Sequence, residues 1–65
     1  MVIGGYQMED LGYGIVVKEY EAGWSFCLQG DDANLFRDEW EQWQEYRDNN
    51  FRQFLSEHNY DTLFQ

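Results

Sequence analysis

The chain reads as an α+β domain, in which a small antiparallel hairpin or three-stranded sheet packs on one or two C-terminal helices (ββα or ββαα). Three observations predict this. Residues 13–20 and 24–29 are short runs rich in β-branched and aromatic side chains, punctuated by Gly12, Gly14 and Gly23. From residue 33 onward the apolar spacing changes from two to three and four. Asn49 and Asn50 then interrupt the helical stretch, before a second pattern that starts at Phe51.

Residues 1–11 could form an edge strand or a mobile tail, because Gly4 and Gly5 break the short apolar run Val2, Ile3. In 13–20, Tyr13, Ile15 and Val17 fall on one side of a strand, and Val16, Lys18 and Tyr20 on the other. Glu21, Ala22 and Gly23 suit a hairpin loop, with Gly23 able to take a positive φ. In 24–29, Trp24, Phe26 and Leu28 alternate with Ser25, Cys27 and Gln29, so one face is apolar.

Asp31 or Asp32 is placed to cap the first helix, expected over about 33–48, and either suits the positive end of its dipole. At about 100° per residue, Leu35, Phe36, Trp40, Trp43 and Tyr46 form one wide stripe facing the sheet. A break at Asn49 and Asn50 lets Phe51, Phe54, Leu55 and His58, spaced i, i+3, i+4 and i+7, turn a second apolar face into the same core. An unbroken helix would instead leave an apolar surface seeking a second chain.

Sixty-five residues hold a single domain, 1–65, and so small a domain buries only about 60% of its unfolded surface. Cys27 is the only cysteine and His58 the only histidine, so neither an internal disulfide nor a zinc site supplements the core. Aromatic bulk can do so, since Phe, Tyr and Trp make up 20% of the chain. A homodimer would be a further supplement. The net charge of −9, with 13 Asp and Glu against 4 Lys and Arg, disfavours direct binding to nucleic acid or anionic membrane and favours a cationic partner. Such a charge also keeps an aromatic-rich chain in solution. No run approaches the roughly 20 apolar residues of a membrane-spanning helix. With no basic-then-apolar N-terminal stretch and a lone cysteine, the expectation is a cytoplasmic protein.

No catalytic pattern emerges, and no enzyme activity, metal or cofactor is expected. His58 sits at an apolar helical position, which suits a histidine at the core's edge, and Ser25 and Ser56 have no motif around them. Cys27 lies mid-strand without a CxxC partner. Asp31, Asp32, Ala33 and Asn34 lack the alternating ligands of a calcium loop. Gly12 and Gly14 belong to no phosphate-binding glycine motif.

Asp38, Glu41, Glu45 and Asp48 recur every three or four residues opposite the apolar stripe, with Glu39 at the margin. A row of one sign is unusual for a solvent face, which normally mixes charges. It also weakens the helix by a few tenths of a kcal/mol per like-charged pair. With a carboxylate about every 5 Å, the row crudely copies a phosphate backbone. The sequence therefore predicts a non-catalytic acidic protein that docks on a basic surface of another protein. Its sharpest form is a nucleic-acid mimic of the phage-inhibitor type, which blocks a DNA- or RNA-binding protein. The alternative is a small adaptor or assembly subunit, binding or self-associating through exposed aromatics, with Trp40, Trp43, Phe51 and Phe54 at its interface.

Overall fold

The computed structural model describes residues 2–47 and 49–65. Four antiparallel strands, β1 (Val2–Ile3), β2 (Tyr6–Asp10), β3 (Gly14–Glu19) and β4 (Ser25–Gln29), form a meander in the order β1-β2-β3-β4. Two helices follow, α1 (Gly30–Tyr46) and α2 (Phe51–Glu57), and then a short 3-10 helix (Tyr60–Leu63). The class is α+β, and the sheet has one more strand than the largest count expected.

The extra strands come from the N-terminal segment. Gly4 and Gly5 do not end regular structure there; they make the two-residue turn that pairs Ile3 with Tyr6. Both have positive φ, 48° and 87°, the geometry of a primed hairpin turn, whose twist matches that of the flanking strands. β2 then pairs with β3, with Met8 opposite Val17 and Asp10 opposite Ile15. The predicted hairpin forms between β3 and β4, with Val17 opposite Phe26 and Ile15 opposite Leu28. Gly23 takes φ 73° in its loop. Tyr13 and Trp24 lie just outside the strands and are exposed, so the apolar faces are shorter than the alternation suggested.

Ile15, Val17, Phe26 and Leu28 supply the sheet's side of the core. Ala33, Phe36, Trp40 and Trp43 of α1 and Phe51, Phe54 and Leu55 of α2 supply the other. Phe36 has ring centroids of Tyr60, Phe54, Phe26 and Phe51 at 4.9, 5.4, 6.3 and 6.3 Å, mostly edge to face. Each such side chain, fully buried, stabilises the fold by roughly 1.5–3 kcal/mol. Aromatic rings thus provide the core that so short a chain needs.

The first helix departs from its expected bounds. It begins at Gly30, directly after β4, with Gln29 at the cap position and no side chain capping it. Asp31 and Asp32 therefore lie in the first turn, where they favour the helix dipole but do not cap. Leu35 and Tyr46, 56% and 77% exposed, fall outside the buried stripe, which is narrower than predicted. At Asn49 and Asn50 the chain breaks. Asn50 caps α2, its Oδ1 accepting from the Gln53 N–H at 3.1 Å, and so Phe51, Phe54 and Leu55 reach the common core.

Candidate functional site

Asp38, Glu41 and Glu45 are exposed on the outer face of α1, opposite Phe36, Trp40 and Trp43. Helix geometry explains the arrangement. Once the 3.6-residue period turns the aromatic residues to the sheet, positions 38, 41 and 45 must face solvent. Asp48, the fourth member expected in the row, lies outside the described residues. Asp31 extends the row at its N-terminal end. It is exposed and stands seven residues before Asp38, a spacing that drifts only about 20° around a helix. The same spacing separates Asp38 from Glu45, so the signal was present in the sequence, where a capping role took its place.

The two arginines nearest the row are held elsewhere. Arg37 reaches towards the sheet, its Nε and Nη2 donating to Asp10 Oδ2 and Oδ1 at 2.8 Å each. It also donates to the Gly12 carbonyl at 2.9 Å and to Asn34 Oδ1 at 2.8 Å. Hydrogen bonding from Arg37, aided by the Gly12 N–H, holds the Asp10 carboxyl down at about 2. In return, Asp10 raises the Arg37 guanidinium above its ordinary value. Arg47 donates to Glu57 Oε2 at 2.9 Å, and its guanidinium carbon sits 4.4 Å from the Trp43 ring centroid. Neither cation pairs with Asp38, Glu41 or Glu45.

Glu39 does not belong to this face. Its side chain is three-quarters buried, accepting from the Tyr60 hydroxyl through Oε1 and standing 3.2 Å from His58 Nε2 through Oε2. Burial, then the hydrogen bond to Glu39, raises the Tyr60 hydroxyl well above its ordinary value. His58 Nδ1 lies 3.0 Å from the Phe54 carbonyl oxygen. This cluster ties α1 to the end of α2 and to the 3-10 helix. It brings together a carboxylate, a phenol hydroxyl and an imidazole.

The four aromatics of the alternative interface are not surface residues. Trp40 and Trp43 are 5% exposed, Phe51 2% and Phe54 0%, all within the core of a single chain. The second helical face, which an unbroken helix would leave seeking a partner, is satisfied by α1 and the sheet, because the chain bends between the helices. The exposed aromatics are Tyr13, Tyr20, Trp24 and Tyr46. Among the described residues, no helix is long and apolar enough to cross a membrane. Compared with family models, curated proteins and solved structures, the chain shows no significant match.

Proposed function

We propose that this is a non-catalytic, cytoplasmic acidic protein that docks the outer face of α1 on a basic surface of another protein. In the sharpest form, it occupies the nucleic-acid groove of a DNA- or RNA-binding protein as a mimic of phosphate. One observation carries this reading: Asp38, Glu41 and Glu45 stand exposed on a rigid helix, while neighbouring Arg37 and Arg47 are committed to Asp10 and Glu57. The row keeps its negative potential, which steers a cationic partner and makes docking salt-sensitive. Asp31 lengthens the row, and Glu39 contributes only indirectly, through the packing of the C-terminus.

The test is affinity capture with the protein and with its triple variant Asp38→Asn, Glu41→Gln, Glu45→Gln, eluted by rising salt or by duplex DNA, the captured proteins being identified. The expected outcome is a nucleic-acid-binding protein released by either eluent and lost from the variant. Equal capture by the variant would overturn the reading. Salt-resistant capture would support instead an adaptor or self-association surface, which would have to use the exposed Tyr13, Tyr20, Trp24 or Tyr46.

A further inference from the structure

At the end of the sheet away from Arg37, four segments enclose an open cleft of about 510 Å³. The β1–β2 turn with the start of β2, the end of β3 with the β3–β4 loop, α2, and the 3-10 helix with the residue after it each form part of its wall. Three aromatic rings line it: Trp24, which is 48% exposed, and Tyr6 and Phe64, whose centroids are 6.0 Å apart. Glu19, Glu21 and Asp61 line it as well, and none of the three has an ion pair among the described residues. Among the described residues, Arg52 is the only cation on the wall. All three carboxylates stand on the wall of this one cleft. After burial, Glu19 is the largest influence raising the Tyr6 hydroxyl, Asp61 and Glu21 add to it, and Arg52 opposes them.

We propose that this cleft seats an arginine side chain of a basic protein partner. A guanidinium is flat enough to lie against an aromatic ring, and its donors can reach carboxylates at the edge while its face stays on the ring. The three carboxylates outnumber Arg52, so the cleft has charge to spare for an incoming cation. The aromatic wall favours guanidinium over the more strongly hydrated ammonium. The proposal rests on the reading of a basic protein partner, but not on the α1 row as its docking face.

The test is an NMR titration of the full chain with the blocked peptide Gly-Arg-Gly, and with the same peptide carrying citrulline or lysine in place of arginine. The expected result is saturable shifts at Tyr6, Phe64 and the Trp24 indole with arginine, and none with citrulline. Glu21→Gln combined with Asp61→Asn should weaken binding by about fivefold or more, and Arg52→Gln should tighten it. A spectrum otherwise unchanged shows that each variant is folded. Shifts absent from the cleft, or equal for citrulline, would overturn the proposal, and an equal response to lysine would overturn the choice of guanidinium. The triple α1 variant should respond to the peptide as the parent does. A cleft that binds while α1 captures nothing thus refutes only the α1 reading, and the converse refutes only the cleft.

Discussion

At the residue scale, Asp10 and Arg37 join two elements far apart in sequence, the end of β2 and the second turn of α1. The bidentate contact ties α1 to the sheet, and Arg37 also donates to the Gly12 carbonyl. It has a defined pH dependence. Asp10 titrates at about 2 in the folded chain, below its ordinary 3.8, so its contribution is complete above about pH 4. As pH falls towards 2, the unfolded chain takes up the proton first and that contribution is lost. Urea unfolding of the protein and of Asp10→Asn should therefore give stabilities that differ above pH 4 and converge near pH 2. A gap that stays constant across that range would show that the carboxylate's charge is not what holds the turn.

At the element scale, the break between the helices decides whether the chain closes on itself. α1 and α2 together could have formed one long helix with two apolar faces pointing apart, and Asn50 gives the local alternative by capping α2. Asn50→Ala should cost about 1 kcal/mol, read as a lower urea midpoint at unchanged slope. A variant that instead becomes a dimer in sedimentation would show that the cap, more than the packing of Phe51 and Phe54, keeps the helices apart. The strands were partly legible beforehand. Residues 24–29 alternate cleanly and are bounded by glycines, so β4 was predicted with only Trp24 misplaced. β2 alternates only over Tyr6, Gln7, Met8 and Glu9 before a second acid, Asp10, too short a pattern to read as a strand alone, and pairing with β3 makes it one. The turn at Gly4 and Gly5 was the available clue, a glycine pair between two short runs that suits a primed turn.

At the scale of the molecule, opposing charge effects compete. The net charge of −9 repels itself across a domain only 29 × 24 × 20 Å, whereas the Arg37–Asp10 and Arg47–Glu57 pairs attract. The pairs are two and partly exposed, and pairs of that kind contribute little. The repulsion involves many more carboxylates over distances comparable with the screening length of about 10 Å at 0.1 M salt. Raising sodium chloride from about 0.01 to 0.5 M should therefore raise the thermal midpoint by roughly 4–8 °C, about 1 kcal/mol for a domain of this size. A midpoint that falls would mean that the ion pairs outweigh the repulsion. The candidate site divides along similar lines. Asp38, Glu41 and Glu45 were legible because helical period and burial alone expose them. The removal of Glu39 to Tyr60 and His58, and of both arginines to distant carboxylates, was not, because those partners lie 10 to 27 residues away.

The sequence by itself determined the α+β class, the β3–β4 hairpin, the two amphipathic helices and the outward acidic row. Each follows from periodicity within a few residues, a property local enough to read along a chain. Only the tertiary structure decided that the N-terminal segment would add two strands, that Trp40, Trp43, Phe51 and Phe54 would share one core, and that Glu39 would leave the surface. It also assembled the aromatic cleft from four separate segments. These outcomes depend on which surfaces meet once the chain bends at Asn50, and burial of rings against one another is set by that meeting rather than by any local pattern.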